Sequence, residues 1–243
     1  MRRAGVDLRR YRPLTCDAYV AQKRLLSSVP CRTVFDVGAF QGEATRRYAE
    51  LFPAAEIYAF EPYRPSFEAL STKFSKVPRI HCVNAAVSLS RGEATFYVNG
   101  APATNSLLPR PSSGRRYFSP EAVTRGTITV PTIRIDDFRA EHSVPVPDIL
   151  KMDIQGMELE ALRGAEETLK SGGVSLIFSE VTFVAHYEGG VLFDQLTAYL
   201  RERGFTLFNV YELHSASIGQ LRFGDAIFMA DHLRHAAIDS EDA

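Results

Sequence analysis

Cysteine is sparse in this chain: Cys16, Cys31 and Cys82 are the three among 243 residues, and no two of them form a CxxC pair. Such a set builds neither an even disulfide framework nor a zinc site, and it fits free thiols in a reducing compartment. The six His are scattered without ligand spacing, which removes the other common zinc pattern. No apolar run approaches the roughly 18 residues that a membrane span needs. The first twelve residues hold five Arg, the positive region of a signal peptide, but no apolar stretch follows them. A cytoplasmic chain with a solvated N-terminus is expected. An excess of charge is missing as well, since 28 Lys and Arg face 29 Asp and Glu for a formal net charge of −1. That balance argues against a protein that coats nucleic acid or an anionic membrane. Lys is rare, with five residues, and the Arg excess reads as compositional bias.

What is present is a globular composition, 45% hydrophobic and 23% charged. One core at this length buries about three-quarters of the unfolded surface and needs no disulfide or structural metal. Residues 13–29 carry apolar side chains at helical spacing, so residues 1–30 are expected to form a helical extension ahead of a main domain over 31–243. Then strands and helices alternate: TVFDVG (33–38), a helix at 43–52, EIYAFEP (56–62), a helix at 64–74 with Pro65 in its first turn, and RIHCVNAAV (79–87) as a third strand. The rhythm breaks at 88–135, a β-rich insertion with antiparallel strands around the Pro-, Ser-, Gly- and Arg-rich stretch 101–126. That stretch is read either as a lid, mobile without substrate, or as an inert surface loop. From 148 the rhythm resumes with a strand at DILKMD, one helix at MELEALRGAEETLKSG, a strand at 174–181, a helix closed by Gly204, and strands at 205–213 and 225–232. Eleven residues between the last two strands are too few for a helical crossover, so they should pair as an antiparallel hairpin. The expected fold is α/β and Rossmann-like, a mostly parallel sheet closed by that hairpin.

The first strand–turn–helix, VFDVGAFQGEAT, has the spacing G-x-x-x-G. It is neither the dinucleotide fingerprint nor a P-loop, which disfavours a nucleotide-dependent dehydrogenase. Gly38 and Gly42 would let the backbone approach a ligand beyond the strand ends, and Asp36 would set a carboxylate beside it. A carboxylate there disfavours a pyrophosphate and favours a sulfonium. Glu61, some twenty positions on in the FEP turn, is placed to accept from a ribose diol. Together they point to S-adenosylmethionine. Farther along, Asp153 ends a strand, Gly156 opens a turn, Glu158 begins a helix, and Glu180 ends the next strand. Asp153, Glu158 and Glu180 should converge where a substrate binds, with His186 and Tyr187 in the following loop as further contacts.

VFDVGAFQGEAT, the FEP turn, NAAVS at 84–88, an Ile135–Asp136–Asp137 strand end and above all LKMDIQGMELEALRGA resemble the FkbM-type methyltransferases. The resemblance runs from about residue 15 to 231. Lys151 to Glu158, Lys-x-Asp-x-x-Gly-x-Glu, is its most specific part. It implies a class I methyltransferase fold with a seven-stranded sheet and O-methylation, by S-adenosylmethionine, of a hydroxyl on a sugar, glycoside, polyketide or peptide natural product. By position, Asp36, Gly38, Ala39 and Gly42 would line the methionine side, Glu61 and Pro62 the ribose, and Asn84, Ala85 and Ala86 the adenine. Asp153 would sit near the transferring methyl, with Glu158, Glu180 or His186 assisting. Asn105–Ser106–Leu107 looks like the family's variable segment, and the Arg-rich stretch 110–116 leaves the acceptor open. Mg²⁺ held by Asp153 and Glu180 is one way to activate a hydroxyl, and a base is the other. N-methylation, a macromolecular acceptor and a catalytically silent cofactor-binding partner are the rival functions.

Overall fold

A computed structural model describes residues 17–111 and 123–237. The chain runs through Ala18–Leu25 (α1), Thr33–Val37 (β1), Glu43–Leu51 (α2), Glu56–Phe60 (β2), Arg64–Phe74 (α3), Ile80–Val83 (β3), Ala86–Val87 (β4) and Gly92–Asn99 (β5). Thr124–Ile133 (β6), Ile135–His142 (α4), Ile149–Met152 (β7), Glu158–Arg163 (α5), Glu166–Lys170 (α6) and Leu176–Thr182 (β8) follow, then Phe193–Arg201 (α7), Phe205–Ser215 (β9), Leu221–Ala230 (β10) and Asp231–Ala237 (α8).

β1 and β7 are buried along their whole length, as central parallel strands covered on both faces must be. They lie in the middle of a seven-stranded sheet of order β3-β2-β1-β7-β8-β10-β9. β10 runs antiparallel to both β8 and β9, the expected closing hairpin, and the other neighbours pair in parallel. Successive residues of β1 feed opposite faces: Phe35 and Val37 pack with Phe60, Leu150 and Phe138, while Val34 packs with Ile57, Tyr48 and Leu70. α1 belongs to the second of these cores through Ala18, Ala21 and Leu25, and Asp17 caps it by accepting from the N–H groups of Tyr19 and Val20. No helix among the described residues is long and apolar enough to cross a membrane.

Three expectations need correcting. Residues 79–87 are not one strand: β3 ends at Val83, and Ala86–Val87 joins a second sheet of order β4-β6-β5, parallel to β6. The helix expected over 157–172 is two, α5 and α6, bent at Gly164, where a Cβ would lie 2.2 Å from the Ser88 carbonyl oxygen. Ile135–Asp136–Asp137 opens helix α4 rather than ending a strand. The Asp136 carboxylate accepts from the main-chain N–H groups of Glu167 and Thr168, capping α6 from another element. The antiparallel β5–β6 ladder was anticipated; of the expected lid, 112–122 lies outside the described residues.

Candidate functional site

The order of the sheet reverses at β1 and β7, and in open α/β sheets a ligand crevice opens beyond the strand ends at that point. Gly38, at φ +79°, makes the first turn, and a Cβ on it would lie 1.9 Å from the Asp153 carbonyl oxygen. Only glycine lets the turns after β1 and β7 touch this closely. Lys151 Nζ ties the same two turns, donating to the Gly38 carbonyl at 2.9 Å and pairing with Asp36 Oδ1 at 2.9 Å. Thr45 Oγ1 donates to the other Asp36 oxygen at 2.6 Å. Burial opposes the Lys151 charge, but the Asp36 and Asp153 carboxylates overcome it and hold the ammonium protonated. Asp36 is fully enclosed and does not face the cleft, so it is a framework ion pair rather than a neighbour of the ligand. Gly42 and Ala39 also turn away. A Cβ on Gly42 would meet Phe74 and Leu70, so it serves the packing of α2 on α3, and Ala39 is buried in the same core.

Glu61 follows β2 and is 6% exposed on the cleft wall. Phe40 N–H donates to one of its oxygens at 2.9 Å and Tyr63 N–H to the other at 2.8 Å. Burial pushes its carboxyl up to about 7, and those two N–H groups only partly offset it. Asn84 does not line the cleft. Its Nδ2 donates to the carbonyls of Glu61 and Pro62 at 2.9 and 3.1 Å and fixes the turn whose Pro62 does, beside Ala85 and Ala86.

Past β7, the Asp153 carboxylate is exposed on the cleft rim. Gln155, at φ +58°, turns its Nε2 between Asp153 Oδ1 and Glu180 Oε2, 2.8 Å from each. Asp153 and Glu180 are therefore brought together, as expected, but through an amide. Burial and the acids Asp153, Glu158 and Asp225 hold the Glu180 carboxyl well above the usual range. Glu158 is put to a different use from the catalytic one: it is buried, and its Oε1 accepts from the N–H groups of Ile154 and Gly156, capping its own turn. His186 does not reach the cleft wall. It stands edge-on to Phe223, and burial together with Arg110 and Arg222 pulls its imidazole down to about 4, which makes it a weak base.

The segment after β5 crosses the cleft. Ser106 Oγ donates to the Gln155 carbonyl at 2.8 Å, Glu188 N–H donates to the Pro109 carbonyl, and Arg110 stacks over Tyr187. The Tyr187 hydroxyl lies 2.6 Å from the Thr104 carbonyl and 2.7 Å from Gln155 Oε1, so its one proton serves either. The resulting cleft is open to solvent and is walled by the turns after β1, β2, β3 and β7 together with this segment. Sequence reasoning missed Phe40, Phe96, Gln155 and Met157 on its wall, and Asp225, whose carboxyl burial and Asp153 push up to about 7. Gln155 lay inside the most specific motif and was the legible one; nothing in the local pattern marked Phe96. Among the described residues no three His, Cys, Asp or Glu are grouped to hold a metal ion.

A seven-stranded sheet with one antiparallel strand, and a cleft at its β1–β7 switch point, defines the class I methyltransferase architecture. The chain belongs to the FkbM methyltransferase family, whose Methyltransferase FkbM domain matches residues 36–207. It is 27% identical over 165 residues to the 2-O-methyltransferase NoeI of Sinorhizobium fredii, covering 66% of this chain and 67% of NoeI. It is 28% identical over 128 residues to the hexuronic acid methyltransferase AglP of Haloferax volcanii, covering 52% of this chain and 47% of AglP. The crystal structure of methyltransferase FkbM from Methylobacillus flagellatus KT matches its fold with a TM-score of 0.52 at 16% identity, over 82% of this chain and 44% of that one. The chain thus spans less than half the length of the last two.

Proposed function

We propose that this chain moves the methyl group of S-adenosylmethionine onto a hydroxyl of a sugar or sugar-like small molecule. The observation that carries the reading is one cleft holding two carboxylates in opposite settings, Glu61 enclosed and Asp153 open to solvent. The residues fit the cofactor. Each Glu61 oxygen accepts one main-chain N–H and keeps a lone pair, which two ribose hydroxyls would use. Phe60, Pro62, Ala85, Ala86 and Phe96 give the apolar walls that a nucleobase needs. When bound, S-adenosylmethionine supplies an electrophilic methyl on a sulfonium, with a thioether as leaving group.

The protein's share is alignment and one proton. Gln155 holds Asp153 by Oδ1, and Oδ2 would be left to take the proton from the acceptor hydroxyl. Solvent at the exposed rim then removes that proton. Gln155 sets its amide N–H groups between Asp153 and Glu180, where a cation would have to lie, so the reaction is read as metal-free. The sugar acceptor draws support from NoeI and AglP, whose names specify 2-O-methylation and hexuronic acid methylation.

The test is methyl-labelled S-adenosylmethionine offered with neutral glycosides, uronic acids and oligosaccharides. Label that survives mild alkali in a sugar is a methyl ether, as expected; alkali-labile label would identify an ester. Failure of the chain to bind S-adenosylhomocysteine by calorimetry would overturn the reading.

A further inference from the structure

Tyr187 is enclosed, 2% exposed, and stands off the cleft wall, so it is not the substrate contact that its place in the sequence suggested. Burial holds its phenol well above the ordinary range, and the hydroxyl keeps its proton. Two acceptors lie within reach, the Thr104 carbonyl at 2.6 Å and Gln155 Oε1 at 2.7 Å. Their needs differ. The Thr104 carbonyl already accepts from Asn99 Nδ2, whereas among the described residues no second donor reaches Gln155 Oε1. Buried polar groups are nearly always paired, so the phenol proton goes to Gln155.

That bond supports one orientation of the amide. Nε2 lies 2.8 Å from Asp153 Oδ1 and from Glu180 Oε2, and a flipped amide would set its oxygen against the Asp153 carboxylate. Gln155 is half-buried, so an amide oxygen deprived of its donor would turn out to water and let go of both acids. The main chain is held separately. Ser106 Oγ donates to the Gln155 carbonyl, and Leu108 N–H donates to the same Oγ. Gln155 is thus gripped at its carbonyl by the segment that crosses the cleft and at its amide by Tyr187. Its φ of +58° is a conformation that persists where the surroundings over-determine it.

We propose that Tyr187 is a positioning residue that aims Asp153 through Gln155: its hydroxyl fixes the Gln155 amide, and the amide fixes the carboxylate on the cleft rim. The inference rests on the reading of Asp153 as the base.

Nuclear magnetic resonance on protein with isotopically labelled aspartate carboxyl carbons tests this relay without substrate. The Asp153 signal is assigned by its loss in Asp153→Asn. At pH 8, Tyr187→Phe and Gln155→Ala should move it in the same direction, and adding Tyr187→Phe to Gln155→Ala should move it no further. Tyr187→Phe keeps a ring beneath Arg110, so its circular dichroism spectrum should match that of the wild type. On a sugar that accepts label from S-adenosylmethionine, Tyr187→Phe should lower kcat about tenfold, the worth of one hydrogen bond, with the KM for S-adenosylmethionine unchanged. An Asp153 signal that Tyr187→Phe leaves in place would overturn the proposal. So would losses of kcat from Tyr187→Phe and Gln155→Ala that simply multiply in the double variant, since Tyr187 would then act by another route. Matched shifts together with full turnover in Asp153→Asn would instead remove the base reading and reduce the relay to a structural one.

Discussion

Asp36 and Lys151 stand alone as charges in strands that are otherwise uncharged and buried, and the sheet register sets them opposite each other. Two charges in such strands must meet, because either one left alone would be enclosed without a partner. That signal was in the sequence, but reading Asp36 as a ligand neighbour hid it. Glu158 and Asn84 share the lesson: right in type and place, they hold the backbone of turns. Glu61 and Asp153 do stand on the cleft, and their consequences are measurable. With its carboxyl raised to about 7 by burial, Glu61 would offer both oxygens as charged acceptors to two ribose hydroxyls only once ionised. Affinity for S-adenosylhomocysteine should therefore fall as pH drops below about 7, by up to about tenfold per pH unit, while Glu61→Gln should bind weakly with a flat profile. Calorimetry at pH 8, 7 and 6 reads both. Asp153→Asn should leave that affinity nearly unchanged and lower turnover by about a hundredfold or more, as loss of a positioned base does. EDTA should not alter wild-type turnover, and a loss restored by Mg²⁺ would return Asp153 and Glu180 to the role of metal ligands.

Among the elements, the alternation of strands and helices and the closing hairpin were legible because each rests on periodicity and loop length. What was not legible depends on contacts between distant segments. Gly164 reads as a tolerated residue inside one long helix, yet it bends the chain because Ser88, from the turn after β4, packs against it. The N–H of Asp136 then donates to the Gly164 carbonyl and joins the elbow to α4. The break after β3 likewise follows from Asn84 turning back onto the Glu61 turn. Gly164→Ala should force the Ser88 carbonyl aside and destabilise the fold by about 1–3 kcal/mol, the usual cost of overpacking. At this chain length that lowers the melting midpoint by roughly 2–4 °C per kcal/mol. Thermal melts check it, and because the elbow lies off the cleft wall, S-adenosylhomocysteine affinity should not change.

Across the whole molecule, buried acids gather at the carboxyl end of the sheet, and this sets the response of stability to pH. Burial raises Glu61, Glu158 and Asp225 to about 7, and it holds Glu180 well above its ordinary value with help from Asp153, Glu158 and Asp225. In the unfolded chain these groups ionise near 4.5 for Glu and 3.8 for Asp. Between those values and about 7 the folded form keeps protons that the unfolded form has released. Their contribution is complete below the unfolded values and is lost as pH rises through about 7. Other groups oppose this, among them the carboxylates Asp17 and Glu43, which ion pairs and hydrogen bonds hold below their ordinary values. His186, pulled down to about 4, favours the folded form at higher pH within the window 4 to 6.5. Glu166, held at about 2 by hydrogen bonds from Arg203 and Tyr199, loses its contribution only below about 4.5. Four acids outweigh one imidazole, so the ligand-free chain should melt at a higher temperature at pH 6 than at pH 8, and the gain should reverse below about pH 4.5. Melts of Glu61→Gln combined with Asp225→Asn should show a flatter slope between pH 6 and 8. A wild-type midpoint that rises with pH across that range would mean that these carboxyls are ionised in the folded protein, solvated or paired despite their burial.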